Sequence, residues 1–467
     1  MSEATTVIGD WKGTIELEEL RLPAVLSIVD GDGGLTLSVR QAGGTHATLP
    51  PTPALLEGTT ITAALDGGDA RLEAHVDGDV LTGHLMTGTR TLPIRLIRDD
   101  PAFARYELPR ATPDAGREQD YTYVPPADGD GWAATHAADV GADAAGLRAY
   151  VEDVLADPVR HTDGIVVAID GKLVLDEYFW GIDAAAPHPM ASITKSVTSL
   201  LCGIARDRGT FPDLETRVHD LLPDYTGTHW VDDRVAITLR QVLTMTAGLD
   251  WVESGVGYLD QRNDASLMES DQDMVAYTLN KRVVRTPGEV FAYTSGLAVV
   301  LGEVLARAVG TDVVSFARQH LFGPLGIDRF TWVTDAAGHT HTGGGLALRP
   351  RDLAKLGQVV ADGGTWAGQR LISEDWVHES TALHSRNDEA SYGYQWWLSP
   401  SPDDAAQVAL VAGLGWGGQR LYVRPGDRTV VVHTGANHDG DDARLDARLL
   451  AHLFPAIGWT FASREVG

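Results

Sequence analysis

Residues 190–196 read Met190-Ala-Ser-Ile-Thr-Lys-Ser196, and this heptapeptide carries the sharpest chemical signal in the chain. Ser192 and Lys195 are three residues apart, a spacing that puts both side chains on one face of the first turn of a helix. A serine hydroxyl becomes a strong nucleophile only when a neighbouring base takes its proton. Lys195 can be that base if burial or a nearby cation keeps it neutral near pH 7. The alternative is that both are incidental polar residues of an amphipathic helix.

The segments around the heptapeptide predict a mixed α+β domain. Apolar runs at 165–169 and 173–175 are separated by Asp170-Gly171, a strong two-residue signal for a β-hairpin. Apolar positions at helical spacing predict helices over 147–155, 196–208 and 297–308. Residues 420–424 and 429–433 read as paired strands. This order of hairpin, helices and strands predicts one antiparallel sheet flanked by helices.

The N-terminal part of the chain has a different pattern of apolar and turn-forming residues. Residues 1–98 contain short alternating runs separated by Gly and Asp clusters, which predict a small all-β accessory module, either a barrel or a sandwich. Residues 99–126 are rich in proline and are interpreted as a linker or an extended arm. Residues 127–467 then form the α+β domain.

Composition narrows the classes of partner and compartment. The 467 residues include 65 acidic and 37 basic side chains, a net charge of −28, which argues against nucleic acid and anionic membranes as partners. Apolar runs stay below the ~20 residues that a membrane helix needs. The first residues lack the features of a secretory signal, and Cys202 is the single cysteine. We therefore expect a cytoplasmic protein, with homo-oligomerisation left open.

Further stretches follow the heptapeptide in a recognisable order. Phe291-Ala-Tyr-Thr-Ser-Gly296 precedes a predicted helix, and Gly413-Leu-Gly-Trp-Gly-Gly-Gln419 leads into a predicted strand. Supporting stretches lie at 237–249, 285–291, 349–355 and 392–397. Together, residues of about 130–460 resemble the serine β-lactamase and penicillin-recognising superfamily. The match is closest to its class C-like branch of esterases, D-aminopeptidases and 6-aminohexanoate-oligomer hydrolases. The resemblance implies a β-lactamase-like fold that includes an all-helical subdomain.

The same resemblance assigns roles to individual residues. It implies that Ser192 is the nucleophile, Lys195 its activating partner, and Tyr293 the residue that shuttles a proton to the leaving group. Ser295 stands where such enzymes often place Asn, and it could still hydrogen-bond Lys195. Trp251 is interpreted as a lining residue of the acyl pocket or as part of the core.

The third element of the family pattern departs from the usual Lys-Thr-Gly or His-x-Gly. Here it reads Trp416-Gly417-Gly418, which lacks the cation that would hold a substrate carboxylate. The departure favours ester or amide substrates over penicillins. The oxyanion hole is expected from the backbone N–H groups of Ser192 and Gln419.

The sequence thus predicts a serine hydrolase that acts on a small-molecule ester or amide through an acyl-enzyme. Esterase activity is the favoured interpretation. The alternatives are an amidase of the D-aminopeptidase or 6-aminohexanoate-oligomer type, a β-lactamase, and a penicillin-recognising binding protein without turnover. We expect no cofactor and no metal. The segment Gly413–Gly418 matches the dinucleotide pattern G-x-G-x-x-G, but a strand follows where that pattern needs a helix.

Overall fold

The computed structural model describes residues 7–17, 20–31, 34–41, 48–65, 70–87, 90–98, 121–157, 162–180, 182–256, 262–387, 390–400, 408–436 and 442–459. They fall into two compact units. The first takes in the described residues of 1–108 together with 255–272 and 335–337. The second takes in those of 109–254, 273–334 and 338–467. Of the predicted linker, residues 99–120 lie outside the described ranges.

The N-terminal strands of the first unit form a closed barrel. Its strands are β1 Gly9–Leu17, β2 Leu20–Gly31, β3 Gly34–Gln41, β4 Thr48–Glu57, β5 Thr60–Leu65, β6 Ala70–Asp77, β7 Val80–Thr87 and β8 Arg90–Arg98. Each strand pairs antiparallel with the next, and β1 also pairs with β8, which closes the ring. Buried and exposed residues alternate along β6, so one face of that strand supplies the apolar interior. The all-β module is therefore a barrel rather than a sandwich.

The second unit is organised on a nine-stranded sheet. The remaining strands are β9 Ala133–Ala134, β10 Thr162–Ile169, β11 Lys172–Tyr178, β12 His188–Pro189, β13 Phe330–Trp332, β14 Leu346–Leu348, β15 Thr365–Trp366, β16 Gln369–Arg370, β17 Ser385–Arg386, β18 Ser391–Tyr392, β19 Trp397–Pro400, β20 Val408–Gly415, β21 Gln419–Arg424 and β22 Thr429–Gly435. The order in the large sheet is β17-β18-β19-β20-β21-β22-β10-β11-β9, antiparallel except for the short β11–β9 pair. A three-stranded sheet has the order β12-β14-β13, and β15 pairs with β16.

Helices cover both faces of the large sheet. They are α1 Ala144–Leu155, α2 Ile193–Asp207, α3 Val218–Leu221, α4 His229–Asp232, α5 Leu239–Leu243, α6 Asp264–Glu269, α7 Met274–Leu279, α8 Ser295–Val309, α9 Val313–Ala317, α10 Pro350–Ala361, α11 Glu374–Ser380, α12 Asp442–Arg448 and α13 Phe454–Ala456. Helices α1 and α13 share one apolar core with the sheet, whereas α10 packs against β21, β22 and β10. Between β12 and β13, the described elements of the second unit are α2–α5, α7–α9 and the π-helix Arg318–Phe322, which make up the helical subdomain. The predicted α+β architecture is confirmed.

Helix α2 begins earlier than the sequence pattern predicts. Its first residue is Ile193, and the run from there to Ala205 is buried. The apolar period starts only at Val197 because the first turn buries polar side chains, Thr194, Lys195 and Ser196, which find hydrogen-bond partners inside the protein. Apolar periodicity alone therefore misses the first turn of α2.

Across the described ranges, the helices are all too short or too polar to cross a membrane.

Candidate active site

Ser192 and Lys195 lie side by side at the start of α2. Ser192 is the N-cap residue, and the Lys195 Nζ atom is 3.0 Å from the Ser192 Oγ atom. Only 1% of Lys195 is exposed. Its Nζ also donates to the backbone carbonyl of Gly343 at 2.6 Å. The structure thus brings together the serine and the lysine that the sequence singled out, with the amine out of contact with bulk water.

The Gly343 carbonyl reaches Lys195 because of how the three-stranded sheet is paired. Strand β12 pairs antiparallel with β14, and the Met190 N–H continues this ladder by donating to the Leu346 carbonyl at 2.8 Å. In an antiparallel pair, the residues after one strand adjoin those before the other. The segment after β12 carries Ser192, and the segment before β14 carries Gly343. The sequence analysis missed Gly343, although the run Gly343-Gly-Gly345 is a visible mark of a close backbone approach.

The backbone before Ser192 is strained and tightly packed. Ala191 has a φ of 46°, in the left-handed region that non-glycine residues seldom adopt. Strand β20 ends against this segment, and a Cβ atom built at Gly415 would lie 2.5 Å from the Met190 carbonyl oxygen. A residue at 415 other than glycine would therefore push the segment that carries Ser192 away from the sheet. Strain of this kind is characteristic of active sites.

Tyr293 lies beside Lys195, just before α8. Its ring stacks on Trp397 with centroids 5.3 Å apart and planes at 26°. The Lys195 Nζ atom lies 5.0 Å from the centre of the Tyr293 ring. Tyr392 packs edge-on against the same Trp397, and burial, followed by the nearby Tyr293 and Glu253, raises the pKa of Tyr392 well above its usual value. The Tyr392 hydroxyl consequently keeps its proton at neutral pH.

Ser295 does not serve Lys195, because its hydrogen bonds go to Glu253. The Ser295 Oγ atom donates to Glu253 Oε1 at 2.5 Å, and the Ser295 backbone N–H donates to Oε2 at 2.8 Å. The Trp251 Nε1–H donates to the same Oε2 at 2.8 Å. Trp251 therefore holds a buried carboxylate as well as contributing apolar surface.

Glu253 is a buried acidic residue, and part of the stretch that follows it is helical. Only 6% of Glu253 is exposed, and residues 264–269 of that stretch form α6. Residues 257–261 lie outside the described ranges. Three donated hydrogen bonds satisfy both oxygens of this buried side chain. No local pattern marks Glu253, since its partner Ser295 is 42 positions away.

The third motif forms the turn between β20 and β21. Gly417 and Gly418 have φ values of 84° and 86°, which only glycine adopts easily. The Gln419 side chain is fully buried, and its amide nitrogen donates to the carbonyls of Gly417 at 3.2 Å and Gly435 at 2.7 Å. The Gln419 side chain is therefore engaged inside the protein and is not available to a substrate. Trp416 is half-buried in the turn, and the segment that matches the dinucleotide pattern ends in this hairpin and continues as strand β21.

The chain is similar to known proteins in sequence and in fold. The beta-lactamase family model matches residues 147–453 of the chain. A 6-aminohexanoate-dimer hydrolase from Paenarthrobacter ureafaciens is 26% identical over 303 residues, which cover 60% of this chain and 74% of that protein. Monacolin J acid methylbutanoyltransferase from Aspergillus terreus is 28% identical over 158 residues, or 31% of this chain and 38% of that protein. The structure of a penicillin-binding protein homologue from Caulobacter crescentus aligns with a TM-score of 0.52 and 20% identity, and the alignment covers 67% of this chain and 97% of that one.

Proposed function

The chain belongs to the beta-lactamase family of hydrolases, and from this premise we propose that it is a serine hydrolase that cleaves carboxylic esters through an acyl-enzyme. One observation carries the proposal, the 3.0 Å distance between Ser192 Oγ and the buried Lys195 Nζ. A neutral amine has two N–H groups and one lone pair. When the Lys195 amine is in this neutral form, one N–H can stay on the Gly343 carbonyl while the lone pair accepts the Ser192 proton.

The acylation step follows from this geometry. Ser192 Oγ attacks the substrate carbonyl carbon while its proton passes to Lys195 Nζ, and the carbonyl π electrons move to the oxygen. The backbone N–H groups of Ser192 and Gln419 donate hydrogen bonds to this oxyanion, and each bond stabilises the transition state by ~3 kcal/mol. Because a donor fixed in the protein needs no reorganisation, its effect falls mainly on the rate of the chemical step.

The intermediate collapses when the bond from carbon to the leaving group breaks. Tyr293 supplies the proton that the leaving alcohol needs, and Lys195, beside the Tyr293 ring, returns its own proton to Tyr293. Water then attacks the Ser192 ester and loses a proton to the same pair, the Ser192–carbon bond breaks, and Oγ regains its proton. The products are an acid, an alcohol and free enzyme.

The third motif supports an ester rather than a penicillin as the substrate. A penicillin carries a carboxylate, and Trp416 stands where a cation would bind it. The Paenarthrobacter relative hydrolyses a 6-aminohexanoate dimer, and this favours a linear amide as the second candidate substrate class.

Hydrolysis of p-nitrophenyl butyrate tests the proposal. We expect turnover by the wild-type chain and a loss of at least ~10³-fold in Ser192→Ala. Ser199→Ala is the matched control, because it removes a buried hydroxyl from the same helix two turns further on. A fluorophosphonate should label Ser192, as read by peptide mass.

Turnover by Ser192→Ala at the wild-type rate would refute the assignment of Ser192 as the nucleophile. If the wild-type chain is labelled at Ser192 but never releases the acyl group, it is a binding protein without turnover. Nitrocefin and the 6-aminohexanoate dimer, assayed in parallel, separate the lactamase and amidase alternatives from the esterase.

A further inference from the structure

A buried histidine lies behind the turn that carries the third motif. His433 is on β22, and its Nδ1 atom is 2.7 Å from the carbonyl oxygen of Gly418. Its Nε2 atom is 3.1 Å from the Thr162 Oγ1 atom on the neighbouring strand β10. The imidazole is only 1% exposed. The ring thus faces the hairpin from inside the protein and cannot itself reach a substrate.

The hydrogen-bond partners determine which nitrogen carries the proton. A carbonyl oxygen can only accept, so Nδ1 must be the protonated nitrogen. Burial lowers the pKa of His433 to about 4, so at neutral pH the ring is uncharged and Nε2 has a lone pair. The Thr162 hydroxyl therefore donates to Nε2, and it is itself an acceptor for Arg448 Nη1 at 3.4 Å. The donor and the acceptor of each hydrogen bond in the series from Arg448 through Thr162 and His433 to Gly418 are therefore fixed.

The Gly418 carbonyl shares a peptide unit with the Gln419 N–H. No cis peptide bond occurs among the described residues, and in a trans peptide the C=O and N–H point in opposite directions. Holding the Gly418 oxygen toward β22 therefore turns the Gln419 N–H away from β22. The orientation needs such a hold, because Gly417 and Gly418 have no Cβ atoms to resist rotation of the peptide.

We propose that His433 is a positioning residue, which keeps the Gln419 N–H aimed at the substrate oxyanion by anchoring the Gly418 carbonyl. This inference rests on the proposed function, since it assigns a purpose to the Gln419 N–H within that mechanism. The contribution is felt when negative charge develops on the substrate oxygen, so it changes kcat and leaves KM nearly unchanged.

Three variants at the same position test the inference with p-nitrophenyl butyrate. Leucine removes the donor, asparagine places an amide N–H near the position of Nδ1, and glutamine places it near the position of Nε2. We expect His433→Leu and His433→Gln to lose roughly 10–100-fold in kcat with KM within about twofold, somewhat less than the loss of a whole oxyanion donor. His433→Asn should stay within about fivefold of wild type.

A boronic acid inhibitor adds a readout that a purely structural role would not produce. Its tetrahedral adduct on Ser192 presents an oxygen to the same N–H groups, so its Ki should rise across the three variants in proportion to the loss of kcat. Val431→Ala, which forms a cavity in the core on the same strand, is the control for a general loss of stability. It should lower the melting temperature, but its Ki should not rise in proportion to any loss of kcat.

The results separate this inference from the proposed function. Equal kcat values for the Asn and Gln variants would overturn the role of His433 while Ser192→Ala still confirms a serine hydrolase. The Asn–Gln pair keeps the test decisive even if the leucine variant does not fold, because both amides have similar polarity. A wild-type chain that neither turns over the ester nor is labelled at Ser192 would overturn both.

Discussion

Replacement of Gly415 by alanine is expected to impair catalysis although the residue touches no substrate. The new Cβ atom would lie 2.5 Å from the Met190 carbonyl oxygen and 2.9 Å from the Gln419 Cβ atom, and real Cβ atoms essentially never come closer than 3.0 Å to another atom. The first contact alone requires a backbone shift of 0.5 Å, since 2.5 Å must open to 3.0 Å. The two groups that must give way flank the proposed nucleophile and the proposed oxyanion donor.

The size of the effect follows from how sharply catalysis depends on position. A misplacement of about 1 Å can cost ~10²-fold in rate, so a shift of half that size on the Met190 side should lower kcat/KM by roughly 10-fold. The Gln419 side needs only 0.1 Å, since 2.9 Å must open to 3.0 Å. Each factor of ten corresponds to ~1.4 kcal/mol of transition-state stabilisation. Overpacking should also lower the free energy of unfolding by ~1–3 kcal/mol.

The same strand offers a matched control. At Gly413 the added Cβ atom would meet only side-chain atoms, Ile193 Cγ2 and Ser196 Oγ, each at 3.2 Å. Neither Gly413 nor Gly415 has a left-handed φ, so alanine is compatible with both backbones. The assay is p-nitrophenyl butyrate hydrolysis together with thermal unfolding of both variants. If Gly415→Ala keeps more than half of the wild-type kcat/KM, or if Gly413→Ala is equally impaired, the argument from close packing is wrong.

Three further outcomes are expected. Glu253→Gln replaces an acceptor of three hydrogen bonds by an amide with one oxygen. Denaturant unfolding should therefore show a free energy of unfolding lower by ~1.5–3 kcal/mol. A loss under about 0.5 kcal/mol, which is typical of a surface substitution, would contradict the role of Glu253 as a buried acceptor. His433 has a depressed folded pKa of about 4 and is unprotonated in the fold, whereas the unfolded chain binds its proton below about 6.5. The contribution of the neutral His433 ring to the free energy of unfolding is therefore fully present above pH 6.5 and declines as the pH falls toward 4. Over that window the difference in unfolding free energy between wild type and His433→Asn should shrink by about 3 kcal/mol. A difference that stays constant with pH would contradict this expectation. Lys195→Arg should be as inactive toward p-nitrophenyl butyrate as Lys195→Met, because a guanidinium cannot accept the serine proton, and substantial activity in the arginine variant would mean that Lys195 acts through its charge.

Local patterns were sufficient for the elements whose determinants lie close together in the chain. The Ser192–Lys195 pair is contained in one helical turn, so its spacing predicts the 3.0 Å contact. The hairpin of β10 and β11 depends on Asp170-Gly171, which sits between its two strands, and the structure has it there. Such features need only the chain's own short-range geometry.

Pairings between distant segments could be decided only by the tertiary structure. The barrel differs from a sandwich through the pairing of β1 with β8, and the strand alternation is the same in both. Gly343 lies 148 positions from Lys195, and Ser295 bonds Glu253 rather than Lys195. The sequence by itself determined the turn that holds Ser192 and Lys195, the hairpin and the α+β class, because spacing within a helix or a turn is set by local backbone geometry. Which carbonyl meets Lys195, which carboxylate meets Ser295 and which imidazole meets Gly418 depend on how whole elements pack, and no short-range period in the sequence records that packing.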